Sequence, residues 1–361
     1  SGQSANSHGA YLGVNVQVTS TAGAISLTGS TASPNTGHVG LLVEYTVTVA
    51  ASGGATSASV SLTGTNTGAG IGTYLLSNVQ VTSVGGPISI MGTSAGNQGV
   101  VLSESTTLVE ATGAGAGATV NVEGISTGVE QGLLVVSAKI QSNGGAITLA
   151  GTAAGNHGVF FQGDTAKAIS TGSTVGVTGI TTSTNEGHFA IFLEYLPELS
   201  GASGVTLAGT AAAGTGWVTS GGALINASAG AVQINATGGA HGAYLNSGSQ
   251  INGATGVNVV AEGTNYHGIF MYGPGTQVTS SAGAISVSGT SHSGGYASYG
   301  VELNNLVQLT AANGIQITGQ AVAGLGIFIW NSTSATTANG SLVLTGTSDS
   351  SAGVAIINGS Q

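Results

Sequence analysis

Six of the seven histidines occupy one place in a recurring pattern: His8, His38, His157, His188, His241 and His267 each stand just before a short apolar stretch. Gln98 and Gln131 take that place in two further copies. Imidazole is a common ligand of transition metals, and His8 with His38, His157 with His188, and His241 with His267 fall in consecutive copies. No Asp or Cys shares the position, and ring N–H groups stacked along a corner can donate hydrogen bonds without an ion. The expected role is a polar corner ladder, with no metal and no cofactor.

The carboxylates offer less. Glycoside cleavage needs two carboxyl groups within about 5 to 9.5 Å of each other, or cations that stabilise developing charge. Asp164 and Asp349 lie half the chain apart, and there is no Arg. Glu104, Glu110, Glu123 and Glu130 crowd one copy but at different corners, as a solvated acidic turn would. Ser is too abundant for a Ser–His–Asp grouping to stand out. No catalytic residue is assigned, and the chain is read as a non-enzyme.

Charge scarcity narrows the function classes further. The chain has 361 residues, no Cys, two cations (Lys139 and Lys167) and twelve acidic side chains, for a net charge of −10. Nucleic-acid binding needs several Lys or Arg against the phosphates, and polybasic membrane attachment fails for the same reason. Apolar runs reach only four or five residues, far short of the roughly 20 of a membrane-spanning helix. With 41% hydrophobic residues the chain can bury a core, which separates it from charged disordered sequences. Lacking an initiator Met and a signal peptide, it reads as a mature or excised piece.

The elements that must position these residues come from a repeat. The triplet HGAYL, VNVQVTS and AISLTGS over residues 8–30 returns from Ile71, from Gln131 and from His267. Copies start near residues 8, 38, 71, 98, 131, 157, 188, 217, 241, 267, 299 and 326, about 29 residues apart, with a partial turn over 354–361. In the third segment of every copy two aliphatic residues stand two apart, such as Ile25/Leu27, Ile88/Ile90 and Leu342/Leu344. Period two means strand. Gly follows two residues later in ten copies, while Ala236 replaces it in the eighth and Gly263 lags by two in the ninth. A fixed glycine marks positive φ or close backbone approach. Two copies carry small-residue insertions before the third strand, over residues 50–59 and 111–119, where a corner can bulge.

One copy cannot bury its own apolar face, whereas stacked copies can. The expected fold is all-β: a single domain over 1–361 forming a right-handed parallel β-helix, or β-solenoid, with three short strands per turn and about 12 turns. Ladders of identical positions about 4.8 Å apart would set like charges against one another, which explains the uncharged surface.

Glu302 in YGVEL must face water, which sets Val301 and Leu303 inward. The same phase sends Tyr11, Leu41, Tyr74, Val101, Leu134, Phe160, Ile191, Tyr244, Phe270 and Phe328 outward, the eighth copy being unassigned. Tyr11, Tyr74, Phe160, Tyr244, Phe270 and Phe328 thus form a candidate contact stripe, since contiguous exposed apolar patches mark interaction surfaces. The second strand presents Gln17, Gln80, Gln250, Gln277 and Gln308, whose amides can bond from turn to turn. Lys139, Lys167 and Glu198 interrupt that column and are expected to pair.

The phrases VTSTAGAISLTG, VTSVGGPISIMGT, IQSNGGAITLAGT and VTSSAGAISVSGT resemble the repeats of large bacterial surface adhesins, the filamentous-haemagglutinin-like and autotransporter-like β-solenoids. The resemblance spans essentially the whole chain. It implies a secreted or cell-surface rod, extracellular and of bacterial type, that acts as stalk, fibre or adhesive surface. Partners on this reading are the chain itself, end to end or side by side, or further repeats of a longer chain. A cell-surface glycan or another cell would be the outside contact. The family's amino-terminal secretion domain has no counterpart here, nor has the calcium-binding nonapeptide of related repeat toxins. A carbohydrate- or surface-binding module is the alternative. Ice binding has little basis, since only Thr63/Thr65 and Thr345/Thr347 form Thr-x-Thr pairs around the glycine, and a polysaccharide-active enzyme lacks its carboxylates.

Overall fold

In a computed structural model that describes residues 1–54, 58–295 and 297–361, the chain is an all-β parallel solenoid of about 13 coils with three strands per coil. The coil from residue 71 is representative, with strands Thr73–Leu76, Gln80–Ser83 and Ile88–Ser94. Each pairs in parallel and without slippage with the same strand of the coil before and the coil after. In the two coils that begin near 299 and 326 the second and third strands run together, as Gln308–Ala321 and Ser334–Ser348. Of the insertion over 50–59, residues 55–57 lie outside the described residues.

The coils divide into two compact units. The first comprises residues 1–181 and 197–202, the second 182–196 and 203–361. Within each, alternation along the strands sends one set of side chains to the interior. Leu41, Val43, Leu75, Leu102, Leu133 and Phe161 are fully buried in the first unit, and Trp217, Leu245, Ile269, Val301 and Leu303 in the second. Burying each such side chain contributes about 1.5–3 kcal/mol, which a lone coil could not collect.

The fixed glycine serves close approach rather than positive φ. A Cβ on Gly64 would fall on the carbonyl oxygen of Gly72, the glycine that opens the next coil, and Gly29, Gly92 and Gly124 meet Gly40, Gly99 and Gly132 in the same way. The third strand therefore crosses the start of the following first strand with backbone against backbone. In the two coils where Ala236 and Ala261 stand in the glycine register, the crossing moves two residues on. There Gly238 and Gly263 meet the carbonyls of His241 and His267.

Serine has an internal task as well as the surface one its abundance suggests. Buried Ser83, Ser94, Ser142 and Ser170 donate to the carbonyls of Ala58, Gly70, Ala118 and Gly145 at 2.7–2.8 Å. These bonds satisfy corner carbonyls that no ladder reaches. Thr219 is different. It is fully buried in an inward column between Leu193 and Leu245, and its hydroxyl has no partner. Thr219→Val keeps the shape and removes that unpaired group, so it is expected to raise stability by about 1–2 kcal/mol, read from the urea midpoint.

Candidate contact face

The outward side of the first strands gathers most of the rings. Parallel register places Tyr11 beside Leu42, Leu42 beside Tyr74, Tyr74 beside Val101, and Leu134 beside Phe160 in the first unit. In the second unit the column runs Phe192, Val218, Tyr244, Phe270, Glu302, Phe328 and Ala355. Val218 fills the place left open in the eighth copy. Two expected members belong inside instead: Leu41 and Ile191 are fully buried and face the core. Their copies carry one extra residue between His and strand, Val39 and Phe189, and a slip of one reverses every side chain of a strand. Leu42 and Phe192 stand outward in their stead.

Exposure along the column is uneven. Tyr11 is 53% exposed, Tyr74, Phe160, Tyr244, Phe270 and Phe328 are half-buried, and Leu42, Val101 and Val218 are covered. A second outward column lies two residues on and was not read from the sequence. It includes Glu44, Leu76 and Ser103 in one unit, and Asn246, Tyr272, Asn304 and Trp330 in the other. Its signal was available, because period two extends to the fourth residue of each first strand, and Tyr272 and Trp330 stand there.

The rings meet most densely in the second unit. Tyr244 and Phe270 stack at 5.1 Å with planes 5° apart, and Phe328 lies 5.8 Å from Trp330 at 16°. Tyr299 joins His267 to Phe328, at 5.2 and 4.9 Å. In the first unit Tyr11 donates its hydroxyl proton to Glu44 Oε1 at 3.0 Å. That bond stabilises the protonated phenol and pushes the tyrosine pKa up.

Glu302 points away from the core as its phase requires, but it does not face water. It is only 6% exposed, between Phe270 and Phe328 in its column. Burial raises its pKa to about 7, opposed by hydrogen bonding from Asn304 and by the Trp330 indole. Asn304 Nδ2 donates to Oε1 at 3.1 Å. The buried indole N–H of Trp330 favours the charged form of this carboxylate as a hydrogen-bond donor does, although its geometry falls outside strict hydrogen-bond limits. His267 Nε2 lies 3.5 Å from the other carboxylate oxygen.

The histidines adopt two arrangements. Nδ1 of His8, His241 and His267 accepts the backbone N–H of Val39, His267 and Tyr299 on the next coil, at 3.1, 3.3 and 3.0 Å. The rings thus bond as acceptors to backbone, where the sequence suggested ring N–H donors. In the two copies with the extra residue, His38 and His188 instead meet Ser33 and Ser183 Oγ at 2.7 Å. His157 is buried, edge-on to Phe160 at 5.3 Å. His241 and His267 stack at 5.1 Å. Burial lowers their pKa values to about 4 and about 3, with the neighbouring imidazole adding to the effect on His267. Both rings are therefore neutral near pH 7, the form that an acceptor Nδ1 requires. Among the described residues no group of three or more His, Cys, Asp or Glu is placed to hold a metal ion.

In the second-strand column the amide ladder is partial: Gln277 Nε2 reaches Gln308 Oε1 at 3.4 Å, whereas Gln80 donates to the Thr106 carbonyl. Lys167 pairs with Glu198 at 2.8 Å, and Lys139 stands beside Lys167 in register.

These features define a class, a three-stranded parallel β-solenoid with an aromatic and imidazole outer face. Comparison with protein-family models, with curated proteins and with solved structures finds no match to this chain. Its function is therefore argued from the face itself.

Proposed function

We propose that this chain is a structural and adhesive segment of an extracellular rod or fibre, of the bacterial cell-surface type that its repeats resemble, and that it makes contact through the outer face of its first strands. The observation that carries this reading is the run of partly exposed rings in the second unit, Tyr244, Phe270, Phe328 and Trp330. Stacked 4.8 Å ladders make such a run rigid, so contact costs little side-chain entropy, which favours rings with few torsions. Self-association fits the same chemistry.

The test compares the wild-type chain with a variant carrying Tyr244→Ser, Phe270→Ser and Phe328→Ser. Retention is measured on sensor surfaces bearing whole bacteria, neutral polysaccharide or alkyl chains. Wild-type chain is expected to be retained on at least one surface, and the variant at least tenfold less. Equal retention of a folded variant would remove the contact role of these rings.

A further inference from the structure

We propose that the stacked corner rings of His241, His267 and Tyr299 form a latch beside the contact face, which acid releases to uncover Phe270 and Phe328. This rests on the reading of the face as a contact surface and adds its regulation by protons.

The three residues take the same place in successive coils, and their rings stack at 5.1 and 5.2 Å. Each histidine also holds the backbone of the coil after it. The N–H of His267 donates to His241 Nδ1 at 3.3 Å, and the N–H of Tyr299 donates to His267 Nδ1 at 3.0 Å. A backbone N–H can only donate, so both rings carry their proton on Nε2 and keep Nδ1 bare. The same stack borders the face: His267 lies 5.2 Å from Phe270, and Tyr299 lies 4.9 Å from Phe328. A corner that lifts takes these rings with it.

Acid acts on the latch at Nδ1. A proton there turns the acceptor into a second donor, so N–H faces N–H and the tie breaks. It also puts positive charge on largely buried rings that stand 5.1 Å apart. Closed, the rings therefore resist protonation: burial lowers the pKa of His241 to about 4 and that of His267 to about 3, the second helped by the neighbouring imidazole. A released ring titrates at its ordinary 6.5. Acidification below that value favours the open corner by about tenfold per pH unit for each ring.

The titratable groups that face the two histidines are Tyr244, Tyr266, Tyr299 and Glu302. A phenol carries no charge in acid. Glu302 opposes release only as a carboxylate, through Oε2 at 3.5 Å from His267 Nε2. Burial pushes its pKa up to about 7, so it takes its proton before either ring does and offers the incoming charge no partner. It stays on the strand Val301–Asn304, in register between Phe270 and Phe328. His292 and Glu262, 3.8 Å apart, are exposed and are not part of the stack.

Gln98 and Gln131 occupy the same place in two coils of the first unit, joined amide to amide at 3.1 Å, so the corner accepts a side chain that does not titrate. The experiment compares the full wild-type chain with one carrying His241→Gln and His267→Gln. Hydrogen exchange follows the amides at positions 267 and 299, corrected for the intrinsic rate at each pH. In wild type their protection is expected to fall by about thirtyfold or more between pH 6.5 and 5, with far-ultraviolet dichroism unchanged, and in the variant by less than about threefold. Retention on the alkyl sensor surface is expected at least to double from pH 7 to pH 4 in wild type and to stay level in the variant. If the variant does not fold, NMR of wild type decides: the Nδ1 signals and the two amides must share one midpoint. The latch is overturned if protection does not fall, if the rings protonate while protection persists, or if wild type and variant respond alike. Retention that depends on the rings but not on pH would overturn the latch and leave the contact face standing. Retention by the triple serine variant equal to wild type at both pH values would overturn the contact face, and its gating with it, whatever the exchange shows.

Discussion

At pH 8, Glu302→Gln is expected to be more stable than wild type by about 3 kcal/mol, and the two curves should converge near pH 4.5. Glu302 titrates at about 7 in the folded chain against a reference of 4.5. The folded state therefore holds this proton more tightly than the unfolded chain does. The resulting stability is fully present below pH 4.5 and is lost as the pH rises through 7. Gln mimics the protonated carboxyl and does not titrate. The groups around it are His267, Tyr299, Asn304 and Trp330.

The histidines act in the opposite sense. His241 and His267 titrate at about 4 and about 3 against 6.5, so their contribution is present above pH 6.5 and is lost on acidification. Between pH 7 and 4.5 the two together cost about 5 kcal/mol while Glu302 returns about 3. Wild type is thus expected to lose about 2 kcal/mol over that range and Glu302→Gln about 5, measured by urea unfolding across the pH series. Parallel curves would show that the carboxyl is hydrated and not walled in by its rings.

Gly64→Ala is expected to destabilise the first unit by about 3 kcal/mol or more. The added methyl lands on the Gly72 carbonyl, with the Thr73 hydroxyl also in its way, so relief requires moving backbone that is itself in a ladder: Thr73 N–H donates to the Gly99 carbonyl at 2.9 Å. Coils in a stack depend on their neighbours. Faster amide exchange is therefore expected in the strands Val60–Asn66 and Thr73–Leu76 and in the coils on either side. Gly115→Ala is the control, because open space surrounds that position, and it should change stability by no more than about 0.5 kcal/mol. Equal melting of the two variants would mean that the two segments do not cross as tightly as the structure has them.

The coil is legible in the residues because its period is local and recurs. The aliphatic pair of the third strand appears in every copy, and the glycine at a fixed distance from it marks the crossing. The limit shows at Leu41 and Ile191. Counting from the histidine cannot reveal which side of the strand absorbs an extra residue, and only the ladder to Ala10 in one case and to Trp217 in the other places them inside. The second outward column was also within reach of alternation, had it been followed to Tyr272 and Trp330.

The sequence by itself determined the repeat, the three-stranded coil, the inward set of the third strands and the avoidance of charge, since each follows from residue type at a fixed spacing. Only the tertiary structure decided how deeply the outward residues lie. Glu302 is outward by phase yet buried, because its exposure depends on Phe270 and Phe328, contributed by the coils before and after it. The burial of Asn304 beside it has the same origin. Hydrogen bonding and burial at any one position are properties of three successive coils, which no single copy of the pattern contains.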